Sequence, residues 1–211
     1  MRTFRSSVVA LIALIGALVP AVPALADDGI GPGAYRPYYP GIWQGLYGGV
    51  HLGYGWSADA EGFVGGGQVG YNWQSQQFVY GIEADISLSD ISVSERLVGP
   101  GVVIKATGSI DWLATIRGRV GVLVQPSLLL YATAGLGIVN AEVHGSVNVI
   151  GLGQISARES DTETGFVYGI GVENKFSEKV SWRLEYLGFG HLDTVGDFGI
   201  VRAGLNFKFG P

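Results

Sequence analysis

The chain contains no cysteine, which removes a disulfide framework, a thiolate metal site and a cysteine nucleophile from consideration. Histidine is nearly as scarce. His51, His144 and His191 stand without any H-x-H or H-x-x-x-H spacing, so they do not outline a metal site, and no cofactor is indicated. Basic residues number 13 against 18 acidic, a formal charge of -5, and an acidic surface argues against nucleic acid as a partner. No G-x-S-x-G is present and no helical periodicity of useful length follows residue 26; a nucleophile elbow and a helix bundle both lose their signal.

A spanning apolar helix is also missing. Arg2 and Arg5 precede the apolar run 8–19, then come Pro20, Pro23 and the small-residue site Ala24-Leu25-Ala26. A membrane anchor would need roughly 18 to 20 apolar residues, whereas a short core followed by A-x-A is the pattern of a cleavable secretory signal over 1–26. Its removal takes two arginines and no acid, so the exported chain is more acidic still.

Glycine is what the chain has in abundance, at 35 of 211 residues. Glycine permits bends at barrel corners and leaves room on a crowded inner face. Residues 27–44 interleave Pro32, Pro37 and Pro40 with Tyr35, Tyr38 and Tyr39. We read this stretch as an extended periplasmic lead-in, with partner recognition by its prolines as the alternative. From residue 45 to 209 a period of two recurs over 46–56, 63–74, 78–91, 110–124, 128–141, 164–175, 180–187 and 198–209. Strands of about ten residues, greasy on one face and polar on the other, are what a bilayer-spanning barrel needs. The segments 75–77, 125–127 and 176–179 read as tight turns, and 92–109 and 142–163 as long outer loops.

The outward parity carries Leu46, Val50 and Leu52, with Ile110 and Trp112 opening the fourth strand. Aromatic residues gather near strand ends: Tyr54, Trp56, Tyr71, Trp73, Trp112, Trp182, Phe207 and Phe209 are candidates for an interfacial girdle. The opposite parity carries Glu83, Asp85, Asp111, Arg117, Arg119, Glu173, Arg183, Glu185 and Arg202. Mixed charges in a narrow lumen are expected to pair, because single charges are costly to desolvate. Such pairs either plug the barrel or gate a small pore; eight strands leave little room, which favours the plug. A glycosidase-like carboxylate pair is disfavoured, since each acid has an arginine to hold it ionised. Gly65, Gly67 and Gly70 satisfy G-x-G-x-x-G, but Val69, Tyr71 and Trp73 continue a strand where a dinucleotide site needs a helix. His51 shares the lumen parity, so it cannot be a lipid-facing catalytic base.

Several segments resemble one family. Trp43-Gln44-Gly45-Leu46-Tyr47-Gly48-Gly49 opens the barrel region, followed by Gly65-Gly66-Gly67-Gln68-Val69-Gly70-Tyr71-Asn72-Trp73, Gly81-Ile82-Glu83-Ala84-Asp85 and Arg117-Gly118-Arg119-Val120-Gly121. Tyr131-Ala132-Thr133-Ala134-Gly135, Glu185-Tyr186-Leu187 and Val201-Arg202-Ala203-Gly204-Leu205-Asn206 continue the series. Together they resemble the small eight-stranded outer-membrane barrels of alphaproteobacteria, porin-like surface proteins related to opacity-type and OmpA-like barrels. The resemblance implies an all-β, antiparallel up-and-down transmembrane barrel behind a signal peptide, in the outer membrane of a Gram-negative bacterium. It also implies contact with outer-membrane lipids and lipopolysaccharide, handling by the barrel-assembly machinery, and roles in envelope integrity and host surface interaction. It carries no catalytic residue. Family members usually end on an aromatic residue, whereas here Gly210 and Pro211 extend past Phe209. Three readings follow: a plugged structural and surface-interaction barrel, a small porin-like channel, or a lipid-modifying enzyme whose lipid-facing nucleophile and base are not found.

Overall fold

The computed structural model describes residues 41–57, 60–99, 102–149, 153–190, 192 and 198–210. The expected signal, the lead-in up to residue 40, His191 and Pro211 lie outside the described residues. Alternation becomes eight antiparallel strands: β1 (Gly45–Trp56), β2 (Glu61–Ser75), β3 (Phe78–Gly99), β4 (Val102–Gln125), β5 (Leu128–Val149), β6 (Gly153–Lys175), β7 (Val180–Gly190) and β8 (Phe198–Lys208). Each pairs with its chain neighbour, and β1 closes on β8 from Tyr47↔Lys208 to Trp56↔Gly199. Closure leaves no edge around the ring, the condition for a sheet in lipid.

Outward side chains through the ring are apolar or small: Val50 on β1, Val69 on β2, Ile82 and Ile86 on β3, Ile116 on β4 and Ile170 on β6 are all exposed. Two bands of aromatics border this surface. Phe63 and Trp73 lie ten residues apart on one face of β2, about 33 Å of strand or ~25 Å of axial height at the usual tilt, the height of an outer-membrane apolar band. One band includes Tyr54, Trp56 and Trp112, with Tyr54 edge-on to Phe63 at 5.2 Å and Trp56 6.2 Å from Tyr186. The other includes Tyr71, Trp73, Trp182, Phe207 and Phe209, with Trp73 stacked on Tyr80 at 5.8 Å.

The expected long loops are strand instead. β3 through β6 are 22 to 24 residues long, twice what a bilayer requires, and 92–99, 102–109, 142–149 and 153–160 continue the ladder as a four-stranded wall. The wall rises roughly 30 Å of extended chain past the ends of β1, β2, β7 and β8. It escaped the period-two reading because small residues dilute the pattern and because the register shifts at its base, between Leu88 and Ile91 and between Ile110 and Trp112. That bulge also corrects two side chains. Ile110, expected outward, is buried, and Asp111, expected in the lumen, is the unpaired bulge residue, accepting from Ser109 Oγ at 3.0 Å.

Candidate functional site

The lumen is the most chemically dense part of the molecule, and the strand parity that makes the outside apolar turns its polar residues inward. Glu83, Asp85, Glu173 and Glu185 meet Arg117, Arg119, Arg183 and Arg202, four acids against four guanidinium groups, each at most 6 % exposed. Glu83–Arg117 at 2.6 Å and Glu185–Arg202 at 2.8 Å are directly opposed neighbours on adjacent strands. Other contacts cross the lumen. Arg183 on β7 reaches Glu83 on β3 at 2.5 Å, Arg202 on β8 reaches Asp85 on β3 at 3.0 Å, and Arg117 on β4 reaches Glu185 on β7 at 3.1 Å. Arg119 closes the set on Glu173 at 2.9 Å and lies 4.2 Å over the Tyr131 ring. Eight of the nine charged residues assigned to the lumen are therefore brought together; Asp111 is not.

Other residues of the lumen parity join them; Thr115, Ser87 and His51 are inward by alternation, whereas Tyr47, Tyr131 and Gln68 were not assigned. Tyr47 donates to Glu83 at 2.6 Å, Tyr131 to Glu185 at 3.1 Å, and Thr115 to Asp85 at 2.5 Å. A second chain runs from Ser87 Oγ to His51 Nε2 (2.7 Å), from His51 Nδ1 to Gln68 Oε1 (2.6 Å), from Gln68 Nε2 to Asn206 Oδ1 (2.7 Å) and from Asn206 Nδ2 to Glu173 (2.9 Å). The signal for both was available, since each residue shares the lumen parity of the charged set and faces an inward glycine on the adjoining strand. Gly66 lies between His51 and Ser87 in register, and a Cβ there would sit 2.0 Å from the Ile86 carbonyl oxygen. Gly49 separates Gln68 from Asn206, and a Cβ there would fall 2.4 Å from both side chains.

Serine, histidine and glutamine in that order have the hydrogen-bond pattern of nucleophile, base and orienting group. Ser87 is 1 % and His51 3 % exposed, and apolar layers lie above and below. Toward the wall, Val64, Leu113, Val139, Val167, Leu187, Phe189, Phe198 and Ile200 all point inward, with Phe189 stacked on Phe198 at 4.4 Å. Toward the turns, Trp43 packs with Val79, Leu123, Leu129 and Tyr131. Trp43 donates its indole N–H to Pro126 O at 3.0 Å and its backbone N–H to Gln74 at 3.1 Å, and Lys175 Nζ lies 4.8 Å over its ring. A hollow beside it, bounded by Tyr47, Asn72, Glu173 and Lys208, measures about 10 Å³, room for one water at most. These inward apolar side chains were not anticipated, because the parity argument named only polar and charged residues on the inner face.

A closed eight-stranded ring with an apolar exterior and a filled polar interior defines the class: an outer-membrane β-barrel. The outer membrane protein beta-barrel domain matches residues 11–209, and the chain belongs to that family. It is 33 % identical over 185 residues to the 22 kDa outer membrane protein of Rhizobium leguminosarum bv. viciae, covering 80 % of this chain and 79 % of that one. It is 28 % identical over 237 residues to the 25 kDa outer-membrane immunogenic protein of Brucella abortus, covering 99 % and 100 %. Among solved structures it is similar to the β-barrel domain of Pseudomonas aeruginosa OprF, with a TM-score of 0.47 at 15 % identity over 79 % of this chain and 98 % of that one. Ail of Yersinia pestis gives 0.46 at 14 %, over 78 % and 99 %.

Proposed function

We propose that the protein is a non-conducting outer-membrane barrel that serves envelope structure and holds its four-stranded wall at the cell surface. An even strand count puts both ends of the barrel on the side of the short turns. Export leaves the N-terminus in the periplasm, with the expected lead-in 27–44 on that side, so the wall faces outward. The observation that carries the reading is a balanced, buried ionic layer between two apolar ones. A porin-like channel for ions or small solutes, the competing reading, would need a continuous polar path, and the inward Leu113, Val139, Leu187 and Phe189 oppose one. No reaction is assigned, because Ser87 and His51 lie beneath the same layer. Lipids and lipopolysaccharide are the partners of the barrel wall, the assembly machinery its partner during insertion, and a host or envelope partner would meet the wall. The name of the Brucella relatives as immunogenic proteins fits display at the surface.

The test is conductance of the refolded chain from residue 27 in a planar bilayer. The wild type is expected to be silent. Arg117→Ala and Glu83→Ala are expected to be silent as well, since neither removes an apolar layer. Discrete current steps from the wild type would overturn the reading.

A further inference from the structure

Past the closed ring the wall has two unlike faces. Register sets Leu97, Ile104, Val147 and Ile155 in one row across all four strands, and these side chains are 66, 42, 38 and 79 % exposed. The next row toward the ring holds Glu95, Ala106, Gly145 and Ala157, and the one after it Val93, Gly108, Val143 and Glu159. On β5 and β6, which pair without a register shift, this face has the parity of Val139 and Val167, the inward side of the barrel. It therefore overlooks the barrel mouth, on the side where β1, β2, β7 and β8 have already ended. An unbroken apolar row of this size, standing clear of lipid, marks an interaction surface.

Charge narrows the occupant. Glu95 on β3 and Glu159 and Asp161 on β6 are exposed on this face, and among the described residues none of the three forms an ion pair. The wall's bases, Arg96, Lys105 and Arg158, all have the opposite parity and stand on the reverse face. Three strand spacings and one rung separate Glu95 from Glu159, about 16 Å. A neutral apolar ligand would desolvate these carboxylates without pairing them. The connection 191–197 contributes Asp193 and Asp197 and neither lysine nor arginine. The same face of a second copy would set acid against acid. The basic face of a second copy in the same membrane could reach it only with the two barrel axes about 10 Å apart, closer than two eight-stranded rings can pack. What remains is a partner that is apolar along one side and basic at its ends. A helix of about ten residues spans the distance between the acids.

We propose that the mouth-facing side of the wall docks a cationic amphipathic peptide, whose apolar side chains cover the row from Leu97 to Ile155 and whose lysines or arginines meet Glu95 at one end and Glu159 and Asp161 at the other. This deepens the reading of the wall as a displayed surface and rests on its standing clear of the bilayer. The probe is a fluorescein-labelled peptide of about twelve residues, an amphipathic leucine–serine helix with two lysines at each end. It is titrated with the mature protein in phosphatidylcholine nanodiscs, read by fluorescence anisotropy, with empty nanodiscs as the baseline. Saturable binding above that baseline is expected. The variant Leu97→Ser, Ile155→Ser and the variant Glu95→Gln, Glu159→Gln, Asp161→Asn are each expected to weaken it at least about fivefold. The reverse-face variant Arg96→Gln, Lys105→Gln is expected to bind as wild type does. Unchanged affinity in either of the first two variants overturns the site. Equal binding of the same peptide with serine in place of lysine overturns the cationic assignment. Heat-modifiable gel migration confirms that each variant is folded. Both ends of the barrel are accessible in a nanodisc, so the result is independent of which end faces outward, and bilayer conductance tests the non-conducting reading separately.

Discussion

Arg117 sits at the centre of the lumen charges: Glu83, Asp85, Glu185 and Thr115 all lie within 3.1 Å of its guanidinium. A buried ion pair adds little net stability, because desolvation offsets attraction, but removing one partner strands the others. Arg117→Ala would leave one negative charge unbalanced among four acids and three arginines, and we expect a loss of about 3 to 5 kcal/mol, read as a lower urea midpoint of the refolded barrel. Much at this scale was legible. Glu83, Asp85, Arg117 and Arg119 follow from simple alternation, and Glu185 and Arg202 likewise. Their partners across the lumen were not legible, because alternation says which way a side chain points and nothing about which strand stands across the ring. Asp111 shows the complementary failure, since one inserted residue in the ladder reverses parity and nothing in the local composition announces it.

At the scale of elements the turns and the wall behave differently. The β2–β3 turn is tight enough to force Gln76 to φ 53°, the left-handed region that residues with a Cβ avoid. Asparagine tolerates that region better, so Gln76→Asn should stabilise the barrel by about 0.5 to 1 kcal/mol, seen as a raised urea midpoint with unchanged conductance. All eight strands were found from sequence where one side meets lipid, since there every second residue must be apolar. The wall stands past the closed ring, where that constraint no longer holds. Alternation survives in Val143, His144, Gly145, Ser146 and Val147 but at low contrast, and the segment reads as a loop.

For the whole molecule, the decisive arrangement is polar between apolar: a layer of Phe189, Phe198 and Leu113, then the charged middle, then Trp43 and Leu129. Trp43 is 3 % exposed, and Trp43→Ala should lower stability by about 3 to 5 kcal/mol, the usual range for truncating a buried tryptophan. It should leave conductance absent, because the layer beneath the wall is untouched. Unfolding followed by gel migration and a bilayer recording of the same preparation check the two parts separately. The seat of Trp43 also orders events in time. Its ring precedes the first strand, yet the surfaces that hold it come from β2, β3, β4, β5 and the β4–β5 turn. Trp43 therefore precedes in the chain every element that holds it and can be seated only once they have formed. Its burial marks the moment β2 through β5 have come together, a built-in marker for assembly.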